Sequence, residues 1–322
     1  MKLIDSQLNT NPSFAWTRKI ETCDGIALRT AYWPSWRGSE SLGTICLLQG
    51  RAETIEDYYE TVRDLLEKGF AVLAFDWRGQ GGSERLLKNP RKGHVEDFVE
   101  YQYDLIAVSR KLLPLTPKPH FCLAHGMGGA IALEAALRNI SPFDRQVLVS
   151  PMVELSSQVM PALASAATWV GNTLGYGEEF ISGDESYLVK GEKFTGNQFT
   201  SDEQRYKRCR DIQNLYGDQA VGMPTVSWLQ AASRQMAHFL QADFARKMTI
   251  PTVAIVGSCD KICLGMTTER VLMRIKVAQT LLIRGARHSI LMERDTYRRE
   301  LWAAFDVFIP GESMTTINSK VA

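Results

Sequence analysis

The sequence lacks several features that mark other classes of protein. No uninterrupted apolar run reaches the roughly 20 residues of a membrane-spanning helix. Residues 1–6 contain no apolar core of signal-peptide length, so we expect a cytoplasmic protein. Lys and Arg number 37 against 36 Asp and Glu, so nucleic acid, whose recognition needs a concentrated basic excess, is not an expected partner. A local basic run at residues 205–210 is interpreted as a solvated helix face rather than as a phosphate or lipid site.

Cysteines are few and scattered, and several lie in apolar, strand-like runs where free thiols are usually buried. The six are Cys23, Cys46, Cys122, Cys209, Cys259 and Cys263. Cys259 and Cys263 lie close together, but neither a second cysteine pair nor a histidine lies near them in the sequence. A zinc site is therefore not expected there.

Apolar runs typical of buried strands alternate with segments of helical spacing. The strand-like runs lie at residues 43–50, 71–75, 120–124, 145–150, 252–257 and 280–284. Helices are predicted from Thr54 to Gly69, from about Glu96, from Met127 onward and across 295–308. A hairpin is predicted over residues 14–33, because Asp-Gly separates two β-rich runs. Strands that alternate with helices indicate an α/β fold with a mainly parallel sheet covered on both faces.

The alternation is interrupted between residues 151 and 242, where only helical segments are found. We interpret this part as a helical cap, inserted into a core formed by residues 1–150 and 243–310. The cap carries an apolar set, including Leu163 and Trp169, that would either line an acyl-chain pocket or pack on the core. Residues 311–322 are polar and predicted to form a flexible tail.

The stretch FCLAHGMGGA, residues 121–130, combines a strand, a sharp turn and the start of a helix. Such a turn holds its central residue in a strained conformation, and small neighbours allow the strand and helix to pack closely. The residue at the apex, where this kind of turn usually presents a nucleophilic serine, is Gly126. A phosphate-binding loop is the alternative, but the stretch has neither the Rossmann glycine spacing nor the Walker lysine.

This stretch resembles the GHSMGG elbow of the monoacylglycerol lipase and lysophospholipase branch of the α/β-hydrolase superfamily. Residues 47–58, LLQGRAETIEDY, resemble the oxyanion loop of that branch, with Gln-Gly in place of the usual His-Gly. Residues 75–84 and 93–105 resemble its Asp-x-Arg-Gly-x-Gly loop and the helix that follows. VGSCDKIC and GARHSILMERD resemble the segments that carry the triad acid and base, which implies Asp260 and His288 in these roles. The order Gly126, Asp260, His288 is the order of nucleophile, acid and base in the superfamily.

The resemblance implies an α/β-hydrolase fold with a helical cap and a serine-hydrolase mechanism. A serine at position 126 would attack an ester carbonyl, with the oxyanion held by the backbone N–H groups of Arg51 and Met127. Gly50, His125, Leu163 and Trp169 are the expected substrate-binding positions, with His125 packed beneath the elbow. Because glycine supplies no nucleophilic atom, this chain is expected to be inactive in covalent catalysis.

The remaining candidate side chains have no comparable placement. His94, His120 and His238 do not follow late strands, and we interpret them as structural. Cys122 lies within the strand before the elbow and is rejected as a substitute nucleophile.

Two explanations of Gly126 are open: an enzyme whose serine has been replaced, or a naturally non-catalytic, ligand-binding member of the fold. We favour the first, because drift after loss of catalysis should also have eroded Asp260 and His288. A scaffold protein would explain neither residue. The expected partner is an ester or lipid, such as a monoacylglycerol or lysophospholipid, with transient contact with a membrane surface. Aminopeptidase activity is the enzymatic alternative, and no metal or organic cofactor is expected.

Overall fold

In the computed structural model, which describes residues 2–157, 164–181, 193–241 and 248–310, eight strands form one sheet. The strands are β1 (Trp16–Glu21), β2 (Ala27–Trp33), β3 (Thr44–Leu48), β4 (Ala71–Phe75), β5 (His120–His125), β6 (Arg145–Val149), β7 (Thr252–Gly257) and β8 (Ala278–Ile283). Their order is β1-β2-β4-β3-β5-β6-β7-β8. The β1–β2 and β2–β4 pairs are antiparallel, and the other pairs are parallel. The predicted hairpin and the mainly parallel sheet are confirmed.

The same described residues contain eight α-helices. They are α1 (Tyr59–Glu67), α2 (Val99–Lys111), α3 (Gly126–Leu137), α4 (Ala164–Thr173), α5 (Glu203–Tyr216), α6 (Val226–Leu240), α7 (Gly265–Leu272) and α8 (Asp295–Phe308). The second begins three residues later than predicted, because Glu100 accepts hydrogen bonds from the backbone N–H groups of Glu96 and Asp97 in a turn before the helix.

Alternate residues of the central strands enter two separate hydrophobic clusters. In β3, Ile45 and Leu47 pack in the cluster that contains side chains of α1 and α8. Cys46 and Leu48 pack in the other cluster, with side chains of α2, α3 and α7. All five residues of β3 are buried, as expected for a strand covered on both faces. The sheet therefore lies between two helical layers, as the alternation of strands and helices predicts.

Between β6 and β7, the described residues form the helices α4, α5 and α6 together with short 3₁₀ turns. Their side chains reach the core: Trp228 of α6 donates to the hydroxyl of Tyr101 in α2 at 3.0 Å. The extent of the cap and its independence from the core stay predictions. Residues 311–322, predicted to form a flexible tail, lie outside the described residues. Among the described helices, none combines the length and apolarity that crossing a membrane requires.

The interpretation of the basic run as a solvated face is wrong for two of its arginines. Arg205 and Arg208 of α5 are only 12% and 11% exposed in their side chains. Both contact the carboxylate of Glu60 in α1, which also pairs with Arg298 of α8. The run therefore joins α5 to the core, because its charges face an acidic group that lies far away in the sequence.

The free cysteines divide between the core and the surface. Cys46, Cys122 and Cys263 are buried, Cys209 is half-buried, and Cys23 and Cys259 are exposed. Burial raises the pKa of the Cys122 thiol well above its ordinary value, so this residue remains a neutral core side chain.

Candidate active site

Gly126 forms the sharp turn between β5 and α3. Its φ angle is +51°, a region that side chains rarely adopt. A Cβ atom built on this glycine would meet nothing closer than Nε2 of His288 at 3.6 Å and Cα of Gly50 at 3.7 Å. Gly128, two residues after Gly126, has no such space, since a Cβ there would lie 2.5 Å from the carbonyl oxygen of Leu48. The elbow thus has room for a side chain at residue 126 and close packing beneath it.

His288 and Asp260 are brought together from two loops that follow β8 and β7. Nδ1 of His288 lies 2.9 Å from Oδ2 of Asp260, and both side chains are nearly buried. With Nδ1–H donating to the carboxylate, Nε2 is left as a hydrogen-bond acceptor. Because Nε2 is the atom nearest to the space above Gly126, the imidazole is oriented to accept a proton there.

The carboxylate of Asp260 is held in its charged form by its neighbours. Its Oδ1 accepts hydrogen bonds from the backbone N–H groups of Ile262 at 2.8 Å and Cys263 at 3.0 Å. Burial opposes ionisation, but the interaction with His288 and these two N–H groups outweighs it and lowers the pKa of Asp260. The group can therefore orient the imidazole and stabilise its protonated form.

The loop that carries His288 is tied to the segment 197–200 of the predicted cap. The N–H of Ser289 donates to the carbonyl of Phe199 at 2.8 Å. The guanidinium of Arg287 donates to the carbonyls of Asn197 and Thr200 at 3.1 and 2.8 Å. The position of His288 thus depends on contacts from both the core and this segment.

The loop after β3 lies beside the elbow, as the proximity of Gly50 to Gly126 shows. The N–H of Gly50 donates to Glu53 at 2.5 Å, and the N–H of Ala52 donates to Gln80 at 2.6 Å. Arg51 lies between these two fixed residues. Met127, the second residue of α3, has one of the N–H groups that lack a partner within a helix. The expected oxyanion donors, the N–H groups of Arg51 and Met127, therefore belong to two segments that meet at the elbow.

His125, directly before the elbow, pairs with Glu53 in a contact that the sequence did not indicate. Its Nδ1 lies 3.0 Å from the carboxylate of Glu53, which also accepts hydrogen bonds from Tyr58 and Gly50. Burial alone would lower the pKa of His125, but the charge of Glu53 raises it, and the same pair lowers the pKa of Glu53. Nε2 of His125 lies 3.4 Å from the carbonyl oxygen of His288, with the two rings 4.8 Å apart. His125 thus connects the oxyanion loop to the loop that carries His288.

Cys263 lies next to the Asp260–His288 pair. The ligand atoms of Asp260, Cys263 and His288 lie within 4.8 Å of one another, so a histidine is near Cys263 in the fold although not in the sequence. The sequence-based reason for not expecting a metal at Cys263, that no histidine lies near it, is therefore wrong for the folded chain. The two oxygens of Asp260 already accept hydrogen bonds from His288, Ile262 and Cys263, and burial raises the pKa of the Cys263 thiol well above its ordinary value. The hydrogen bonds of the Asp–His pair account for this cluster.

The expected substrate-binding residues are distributed unevenly. Gly50 and His125 lie at the elbow. Trp169 in α4 is 61% exposed, and Leu163 lies outside the described residues. Each histidine interpreted as structural has a polar neighbour: Thr225 for His94, the nearby Thr116 for His120 and Glu134 for His238.

The chain is similar to a protein family and to several known proteins. The model of a family described as serine aminopeptidase, S33, matches residues 39–295. The chain is 27% identical over 268 residues to a probable lysophospholipase L2 of Haemophilus influenzae, and the match covers 83% of each chain. It is 29% identical over 278 residues to lysophospholipase L2 of Escherichia coli, which covers 82% of this chain and 79% of that one. A soluble variant of monoglyceride lipase from Saccharomyces cerevisiae, solved with a substrate analog, superposes with a TM-score of 0.73 at 18% identity, covering 92% of this chain and 96% of that one.

Proposed function

The chain belongs to the serine aminopeptidase, S33, family of α/β-hydrolases, and on that premise we propose that its site is built to hydrolyse carboxylic esters of lipids. One arrangement carries the proposal. His288 lies 2.9 Å from Asp260, and its other ring nitrogen lies 3.6 Å from the position of a Cβ on Gly126. This is the relation of base to acid and to nucleophile that acyl transfer through a serine requires.

The chemistry follows from a hydroxyl at residue 126. The oxygen attacks the ester carbonyl while Nε2 of His288 takes its proton, and Asp260 stabilises the imidazolium that forms. The negative oxygen of the tetrahedral intermediate accepts hydrogen bonds from the N–H groups of Arg51 and Met127. The alcohol leaves with the proton from His288, and water then releases the acid through the same base.

A glycerol-linked acyl ester is the substrate class that we propose. Two relatives that match most of this chain are named lysophospholipases, and another relative and a structural neighbour are named monoglyceride lipases. The name of the family suggests an aminopeptidase as the alternative. An aminopeptidase must hold a free ammonium group, and the guanidinium of Arg51 beside the oxyanion loop disfavours a positively charged ligand. We therefore rank ester hydrolysis first.

We further propose that Gly126 takes the place of a serine, so that this chain binds an ester without forming an acyl-enzyme. Glycine adopts the φ angle of +51° without the cost that a side chain carries there. The retained pair of His288 and Asp260 supports a replaced serine over a long-established binding protein, because orienting a proton acceptor contributes little to holding a neutral ester.

The test is the variant Gly126→Ser, assayed on p-nitrophenyl esters, acylglycerols and aminoacyl anilides. We expect cleavage of the esters, no cleavage of the anilides, and covalent labelling of residue 126 by a fluorophosphonate. A folded variant that is neither labelled nor active on any of these compounds would contradict the proposal and favour a ligand-binding protein. Cleavage of the anilides in preference to the esters would favour the aminopeptidase.

A further inference from the structure

Arg51 carries a partly buried positive charge that no carboxylate neutralises among the residues the structure describes. Its side chain is only partly exposed, and its Nε is buried without a hydrogen-bond partner. By contrast, Arg29 lies against Glu56 and Asp76, and Arg78 against Asp104. A desolvated charge is costly unless it is paired, so the surroundings of Arg51 favour a ligand of negative charge.

Among the described residues, the contacts of Arg51 leave most of its hydrogen-bonding capacity unused. Nη2 donates to the carbonyl of Gly222 at 2.8 Å, and Cζ lies 5.0 Å from the centre of the Trp228 ring. A guanidinium has five N–H donors, of which this carbonyl satisfies one. Burial lowers the pKa of Arg51 to about 10, so the group is still charged near neutral pH. It is therefore a cation with unused donors.

The charge lies within one side-chain length of the candidate oxyanion hole, because the backbone of Arg51 belongs to that loop. The guanidinium also contacts Gly222, which precedes α6 in the predicted cap, and Trp228, which belongs to α6. The guanidinium thus lies where the core loop meets the cap. A substrate whose carbonyl oxygen points to the backbone N–H of Arg51 therefore has the side chain of the same residue within reach of its remaining atoms.

We propose that the guanidinium of Arg51 binds a phosphate on the glycerol side of the scissile ester and so makes the site selective for lysophospholipids over neutral monoacylglycerols. This assignment rests on the proposed ester hydrolase function and names the feature of the substrate that the site recognises. The planar fork of arginine suits phosphate oxygens, and desolvation strengthens each charge-assisted hydrogen bond. The glycerol of the substrate separates the phosphorus from the carbonyl carbon. Its length is comparable to that of the Arg51 side chain, which separates the guanidinium from the backbone N–H of the same residue.

Binding to the chain as it stands gives the first test, because Gly126 should hold an ester uncleaved. Calorimetry would compare decanoyl lysophosphatidylglycerol with decanoyl monoglyceride, both below micelle formation, with inorganic phosphate at the same ionic strength as a third ligand. We expect the lysophospholipid to bind roughly tenfold to a hundredfold more tightly than the monoglyceride, the range for hydrogen bonds to a charged group. Equal affinities would overturn the proposal. So would inorganic phosphate that binds as tightly as the lysophospholipid, since that indicates a site for free phosphate.

Substitutions in the Gly126→Ser protein give the second test, read as the ratio of kcat/KM for the two lipids. Arg51→Met should lower the ratio by about tenfold to a hundredfold, and Arg51→Lys, which keeps the charge but loses the fork, should lower it less. Arg85→Met is the matched control, because Arg85 is also partly buried and donates to a carbonyl of the cap region, that of Gln219. It should leave the ratio unchanged.

Three outcomes separate the possibilities. If Arg51→Met slows both lipids equally, Arg51 only braces the loop against Gly222, and the proposal is overturned. If Arg85→Met changes the ratio as much as Arg51→Met does, the preference is not specific to Arg51, and the proposal is again overturned. If Gly126→Ser cleaves neither lipid while calorimetry still shows the preference for phosphate and its loss in Arg51→Met, the hydrolase function fails and the assignment of Arg51 is supported.

Discussion

A Cβ atom on Gly126 would lie 3.6 Å from Nε2 of His288 and 3.7 Å from Cα of Gly50, both ordinary van der Waals distances. A serine hydroxyl lies one bond beyond its Cβ, so it would come within hydrogen-bond reach of this nitrogen. Asp260 already holds the opposite nitrogen at 2.9 Å. The arrangement around residue 126 thus has a paired imidazole and carboxylate in place and no hydroxyl beside them.

We expect Gly126→Ser to hydrolyse short acyl esters at least about a hundredfold faster than the chain with glycine, because a nucleophile of this kind contributes several orders of magnitude. Steady-state assays with p-nitrophenyl butyrate would measure the gain. The matched control is Gly126→Ala, which adds the same Cβ at the same backbone angle without the oxygen. Activity in the alanine variant equal to that of the serine variant would show that hydrolysis does not depend on a hydroxyl at this position.

Asp260→Asn, introduced into the Gly126→Ser protein, should lower kcat by about a thousandfold or more. The amide cannot accept the Nδ1–H hydrogen bond in the same way, so the imidazole loses the tautomer that leaves Nε2 free. Calorimetry of an ester with the same substitution in the glycine chain should show little change in affinity, since the carboxylate orients the base and does not contact the ester. A loss of less than tenfold in kcat would remove Asp260 from the catalytic set.

Glu53→Gln should lower the pKa of His125 below the ordinary histidine value. Burial lowers this pKa, and in the unchanged chain the charge of Glu53 outweighs it; in the variant only the carbonyl of His288 and the charge of Asp260 still oppose burial. The chain has only five histidines, so an NMR titration of the imidazole protons can follow each of them. His94 is the internal control, because burial rather than Glu53 sets its lowered pKa. An unchanged titration of His125 would contradict the effect of the Glu53 carboxylate on this imidazole.

Glu60→Gln should destabilise the protein in a pH-dependent way. Burial raises the pKa of this carboxylate, but Arg205, Arg298 and Arg208 outweigh that effect and lower it from 4.5 to about 2. Because the folded-state pKa is lower than the unfolded-state pKa, the carboxylate stabilises the protein fully at pH values above the unfolded-state pKa. This contribution disappears as the pH falls towards 2. The difference in the free energy of unfolding between the two proteins should therefore reach up to about 3 kcal/mol near neutral pH.

Urea unfolding of both proteins at a series of pH values would measure this difference. It should shrink to less than half by about pH 3. Glu203→Gln is the control, because Glu203 is an exposed partner of Lys207 on the same helix as Arg205, and exposed pairs contribute little. A Glu60 effect that is constant over the whole range would show that the side chain acts through packing rather than through its charge.

The candidate site could be predicted to the extent that it depends on local sequence. The glycines of the elbow, the apolar run of β5 and the start of α3 specify a sharp turn at Gly126, because few other residues fit such close packing. Asp260 and His288 each follow a late strand, and the carboxyl ends of parallel strands meet at one edge of the sheet. The structure places them in contact, while their catalytic roles stay predictions that the variants above would test.

The sequence by itself determined the α/β fold, the order of the elements and the position of the elbow, because hydrophobic period and turn residues are local properties of the chain. Only the tertiary structure decided which charges are paired. Arg205 and Arg208 meet Glu60, His125 meets Glu53, and the partly buried Arg51 meets no acid among the described residues. These partners are separated by tens of residues or more in the sequence. The energy of a charge depends on its surroundings in space, which no spacing along the chain reveals.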